Sequence, residues 1–178
     1  MQYAADWVLV GVVLVAAWLD LRVRKIPNWL TASAFAVALV LRAPLGAGEF
    51  LDGLAAAGLA FIICIPFFAL GGLGGGDVKL LTAAGAFLGI DRLWGALLVT
   101  AIVGGIFALM AVIRHRRGGE TVANLYMVMK SLASKEAYTG WKGEEGEAPL
   151  TIRSAGVITR PYGIAIAAGS IYAVQPFL

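Results

Sequence analysis

Two aspartates stand out because of what surrounds them. Asp77 follows the run Gly71-Gly72-Leu73-Gly74-Gly75-Gly76, five glycines in six residues, set between two strongly apolar segments. Asp20 ends an earlier apolar segment and precedes Leu21-Arg22-Val23-Arg24-Lys25-Ile26-Pro27-Asn28. A glycine cluster does not hold a stable helix. At membrane depth, broken backbone survives only where protein buries it or it lines a wet cavity, and an ionisable residue there is a candidate for function. Two carboxylates a few ångströms apart do not both ionise easily and share a proton over a range of pH. One can then activate water while the other protonates or polarises a carbonyl, which is acid–base hydrolysis without a covalent intermediate. The competing reading of either aspartate is a helix cap or a partner for a nearby Arg or Lys. Asp77 would sit at a helix N-terminus, which favours its charge, and Asp20 at a helix C-terminus, which opposes it. That contrast predicts Asp77 as the readier base and Asp20 as the proton holder.

The elements that must position these groups are membrane helices. Of 178 residues 60% are hydrophobic and 14% charged, with a mean hydropathy of +0.85. Soluble domains are about a quarter charged, so the composition indicates an integral membrane protein. The length suits a single domain over 1–178. Six apolar runs follow: Tyr3–Leu19, Trp29–Leu41, Leu54–Leu70, Val78–Ile90, Leu93–Ile113 and Tyr162–Phe177. Each approaches the ~20 residues that span a bilayer, and only Asp91-Arg92 separates the fourth from the fifth. Residues 114–160 form a long polar loop before the last helix. The expected fold is therefore all-α with six transmembrane helices.

Charge sets the orientation. Six crossings place Arg22, Arg24, Lys25, Lys79 and the eight Lys and Arg residues of the loop on one side, and only Arg42 and Arg92 on the other. The positive-inside rule makes the first side cytoplasmic and both termini external. Asp20 and Asp77 then lie at the same, cytoplasmic end. Asp6 and Asp91 are their counterparts at the outer edge, each fourteen residues away. Fourteen residues of helix rise roughly 21 Å against a hydrocarbon core of ~30 Å, which draws Asp20 and Asp77 below the membrane surface.

The segments Asp20-Leu-Arg-Val-Arg-Lys-Ile26-Pro27-Asn28 and Gly74-Gly75-Gly76-Asp77-Val-Lys79-Leu80 resemble the paired signatures of the type IV prepilin peptidases, intramembrane aspartic proteases of the GxGD class. Arg160-Pro161-Tyr162-Gly163 is similar to that family's last-helix motif. The resemblance implies that Asp20 and Asp77 are catalytic and remove the short basic leader of a pilin precursor, cutting after a glycine before the apolar segment. It places the protein in the cytoplasmic (inner) membrane. Larger members add a four-cysteine zinc insertion and methylate the new N-terminus. With Cys64 alone and no insertion after the first helix, this chain is more similar to the compact peptidases of tight-adherence (Flp-type) pili. Expected partners are an Flp-like prepilin and membrane lipid, with no nucleic acid, metal or cofactor; no feature of the sequence sets an oligomeric state.

Other residues shape the expected site. Pro27 and Asn28 restart a helix beside Asp20, Pro in a first turn and Asn as a cap. Gly74, Gly75 and Gly76 admit the close approach of an extended peptide. Lys79 is an interfacial anchor or orients substrate, and Tyr162-Gly163 lines the site from the last helix or joins the interfacial aromatic belt. Gly104-Gly105 suits close helix packing. In the loop, Val122, Leu125, Met129 and Leu132 recur at helical spacing among basic residues, an amphipathic helix on the membrane surface. The alternative function is an ion- or proton-coupled transporter built on the same carboxylates.

Overall fold

Glycine and alanine set how the helices of this protein meet. The computed structural model describes residues 2–69, 72–115 and 162–175. Within them the chain is helical: α1 (Gln2–Val23), α2 (Asn28–Arg42), a 3-10 turn (Ala43–Leu45), α3 (Ala47–Ala69), α4 (Gly75–His115) and α5 (Gly163–Val174). Residues 1–105 with 159–178 form one compact unit and 106–158 a second. In the second, only the continuation of α4 over 106–115 is described. The expected amphipathic helix and most of the polar loop lie outside the described residues.

Four segments are long and apolar enough to cross a membrane: Tyr3–Val23, Asn28–Leu45, Ala47–Ala69 and Gly75–Met110; α5 is apolar but shorter. The described residues contain no strand. The integral-membrane, all-α expectation thus holds for the described residues, and its fourth and fifth spans form one run interrupted by a non-helical residue. The buried core is dominated by alanine, with Ala38, Ala56, Ala60 and Ala86 fully inaccessible. Small residues of this kind let helix backbones approach closely where lipid provides no hydrophobic drive.

The run breaks at Gly89 rather than at Asp91-Arg92, with φ 75° and ψ 174°. A residue with a Cβ is strained at that φ. Before the break, α4 climbs away from Asp20: the Cβ position of Gly76 lies 3.0 Å from Ile26, while Arg92, just past the break, pairs with Asp6 near the start of α1. After the break the order inverts along α5. Gly95 lies beside Tyr172, Gly169 against Ala96 and Thr100, and Gly104 against Tyr162. The chain therefore reverses at Gly89, and residues 90–104 return to the end of the unit that holds Asp20.

A helix break orphans backbone groups, and burying them unpaired is costly. Here three side chains take them up. Arg42 Nη2 donates to the Phe87 carbonyl at 3.2 Å, Arg92 Nε to the Leu88 carbonyl at 3.0 Å, and Asp52 Oδ1 accepts the Ile90 N–H at 3.3 Å. Arg42 also pairs with Asp52 at 3.2 Å and Glu49 at 3.1 Å, and Arg92 with Asp6 at 2.8 Å. Asp91 is exposed, so the buried outer carboxylate has an arginine as its partner rather than a second aspartate.

Candidate active site

At the other end, the two signature segments dock on each other. α1 ends at Val23 with Arg24 in the left-handed region at φ 53°, its N–H bonded to the Asp20 carbonyl at 2.9 Å. This turn directs Ile26 onto Gly76, where the missing side chain leaves room for it. Lys79 Nζ donates to Asn28 Oδ1 at 2.8 Å, tying the start of α2 to the first turns of α4. Pro27, not Asn28, is the N-cap of α2, with φ −66° and ψ 140°, and its carbonyl accepts the Leu30 N–H at 3.2 Å. The expected order of the two residues at this helix start is corrected accordingly. Proline's fixed φ suits the extended cap, and Asn28, the first helical residue, has its side chain free to receive Lys79.

Asp77 is the third residue of α4 and reaches back to the residue before the helix. Its Oδ2 accepts the Gly74 N–H at 3.1 Å, the carboxylate half of a capping box. Gly74 has no side chain to obstruct this: a Cβ there would lie 2.9 Å from the same oxygen. Gly75 packs beside the Phe68 ring, and Gly71 lies outside the described residues.

Asp20 is buried, and its Oδ2 accepts the Gly163 N–H at 2.8 Å. Gly163 is the first residue of α5, so the carboxylate that ends α1 also faces the positive end of another helix. Asp20 lies in the last turn of α1 as expected, and the start of α5 gives it a second helix terminus, so that both aspartates accept an N–H at a helix N-terminus. Gly163 tolerates no larger residue without displacement, since a Cβ would lie 3.0 Å from Asp20 Oδ2 and 3.4 Å from the Ala17 Cα.

The Gly163 N–H bonds Asp20, and Ile26, in the turn that follows Asp20, packs on Gly76 beside Asp77. Asp20, Asp77, Tyr162 and Gly163 therefore lie at one end of the unit, on α1, α4 and the start of α5. Among the described residues no Arg or Lys side chain bonds to either aspartate. Asn28 and Lys79 bond each other one layer away, and Pro27 shapes the loop without contacting the carboxylates through any described hydrogen bond. Among the described residues no three His, Cys, Asp or Glu side chains group as a metal site would require.

Sequence reasoning missed the polar cluster at Gly89. Asp52 and Glu49 drew no reading from the sequence, and Arg42 and Arg92 served only as markers of orientation. The available signal was Gly89 itself, a lone glycine before the polar pair Asp91-Arg92 inside a long apolar run.

Residues 7–109 match the model of the type IV leader peptidase family, a stretch that includes both aspartates. The prepilin leader peptidase/N-methyltransferase of Bacillus subtilis (strain 168) is 32% identical over 113 residues, covering 61% of this chain and 45% of the relative. The chain thus spans less than half the length of that relative. No solved structure matches. With more than half of its length matched, the chain belongs to the type IV leader peptidase family.

Proposed function

We propose that this protein is a membrane-embedded aspartic endopeptidase that removes the short basic leader from an Flp-like type IV prepilin. The observation that carries the reading is the placement of Asp20 and Asp77 at the same end of the helical unit. Each is held by one backbone N–H and neither is bonded by a described cation. One carboxylate takes a proton from water as its oxygen bonds to the scissile carbonyl carbon, and the other protonates the carbonyl oxygen. As the C–N bond breaks, the proton held by the first carboxylate passes to the leaving amine, and one hydroxyl of the tetrahedral intermediate returns its proton to the second carboxylate as the carbonyl re-forms. Backbone donors fix the two groups without neutralising them, which keeps both available for proton exchange.

Six crossings with both termini outside fit the reversal at Gly89: residues 75–88 and 90–104 pass in opposite directions. The helix after Gly89 and α5 then complete the count. Leu21 and Val23 are exposed and apolar beyond Asp20, which supports a carboxylate just inside the lipid boundary. Exposed Trp18 and Trp29 mark that end, and exposed Trp7 and Trp94 the other. A site at the cytoplasmic face of the inner membrane suits a substrate whose apolar segment lies in lipid and whose basic leader stays in water. The transporter reading lacks a carboxylate at mid-span among the described residues, since Asp6, Asp20 and Asp77 all lie at the ends. Peptide release, not methyl transfer, is the proposed reaction, because one cysteine cannot build a four-cysteine zinc module.

The test is cleavage of a synthetic Flp-like precursor by the purified chain in proteoliposomes. Asp20→Asn and Asp77→Asn should each leave the precursor intact while accumulating normally; full processing by either variant rules out the two-aspartate mechanism.

A further inference from the structure

Gly104 and Gly105 are adjacent on α4 and look equivalent in the sequence. The structure separates them. A Cβ at Gly105 would meet nothing within 4 Å, whereas one at Gly104 would overlap the Tyr162 hydroxyl and lie 2.6 Å from Cζ and 2.8 Å from Cε1. The Tyr162 ring occupies the volume a side chain at 104 would need. Tyr162 is the N-cap of α5, with helical φ −70° and ψ −19°, and its carbonyl accepts the Ile166 N–H at 3.1 Å. The next residue, Gly163, donates to Asp20 at 2.8 Å. Ring and donor are thus one residue apart on a bonded helix start, so the seat of one governs the direction of the other. Gly169 also packs closely on α4, against Ala96 and Thr100, but that contact lies six residues further along α5.

We infer that Gly104 is a positioning residue for the aspartate pair: the socket it leaves holds the Tyr162 ring, and the seated ring aims the Gly163 N–H at Asp20. The inference rests on the two-aspartate reading above. A methyl group in the socket forces the ring aside, and a displacement near 1 Å costs up to about 100-fold in rate.

The experiment compares the parent chain with Gly104→Ala, Gly105→Ala, Tyr162→Leu and the double variant Gly104→Ala/Tyr162→Leu, cleaving the same precursor in proteoliposomes. Gly104→Ala should lose at least about tenfold in kcat with KM within about twofold, since only the transition-state geometry is disturbed. Gly105→Ala should match the parent. In the Tyr162→Leu background, Gly104→Ala should add nothing, because the ring that the methyl group meets is gone. Gly104→Ala tracking Gly105→Ala, or multiplying with Tyr162→Leu, overturns the socket. If Gly104→Ala fails to accumulate, the double variant must recover accumulation, and its failure to do so also overturns the socket. Asp20→Asn and Asp77→Asn run alongside: cleavage by either sinks the two-aspartate reading and the inference with it. If both are inert and Gly104→Ala behaves as Gly105→Ala, the socket alone falls.

Discussion

At the Gly89 end of the helical unit, Asp6, Asp52, Arg42 and Arg92 form a network in which carboxylates meet guanidinium groups and the broken backbone finds its partners. At the opposite end, the described hydrogen bonds of the Asp20 and Asp77 carboxylates come from the Gly163 and Gly74 N–H groups. Asp6 and Asp20 sit on one helix, fourteen residues apart, both buried. What distinguishes them is the partner. Asp6 is bonded by an arginine, whereas the described partner of the Asp20 carboxylate is a single backbone N–H. The proposed function rests on that difference: burial is common to both aspartates, and a described cation is found at Asp6 and not at Asp20.

The largest effects should come from exchanging the consequences of these two environments. Asp20→Asn is expected to lower cleavage on the order of a thousandfold or more, as removal of an essential catalytic group does. Its unfolding temperature in detergent should stay near the parent's, since the amide oxygen still accepts the Gly163 N–H. Asp6→Asn should do the reverse, weakening the match to a buried arginine and costing about 3 kcal/mol of stability in denaturation. It should also leave substantial cleavage at temperatures where the variant is folded. Equal loss of activity in both would erase the distinction.

Gly89→Ala comes next. The left-handed φ costs a Cβ-bearing residue roughly 1–2 kcal/mol, and the added methyl group would meet the Asp52 carboxylate and Arg42 Nη2. We expect the unfolding temperature to fall and cleavage at low temperature to persist. A smaller effect should follow Lys79→Met, which removes an exposed hydrogen bond to Asn28 worth about 1 kcal/mol. Cleavage should drop by less than the aspartate variants, and an inert Lys79→Met would move this residue into the chemistry. The smallest change is Arg24→Gly. It relieves the left-handed backbone at the end of α1 and should raise stability by up to about 1 kcal/mol, read as a small increase in unfolding temperature with cleavage retained.

Much of the site was legible because its signals are local. Asp20 ends one apolar segment and Asp77 opens another, and the charge pattern puts them at one end whatever the details of packing. Pro27 and Asn28 were legible as a helix start, though in the wrong order, since choosing the cap depends on where Ile26 and Lys79 anchor the loop. Asp91 and Arg92 were legible as a polar pair, but which one turns inward depended on Asp6, 86 residues from Arg92.

Composition and hydropathy alone determined that this is a helical membrane protein with paired carboxylates at helix ends, because solvation by lipid acts on every residue wherever its neighbours lie. Only the tertiary structure decided that the long fourth helix reverses at Gly89, that Asp20 faces the start of α5, and that Gly104 differs from Gly105. Each of those depends on which distant backbone group or ring fills a space next to a residue. The bond from Gly163 to Asp20 joins positions 143 residues apart. No local pattern encodes such a contact; it exists only once the helices have packed.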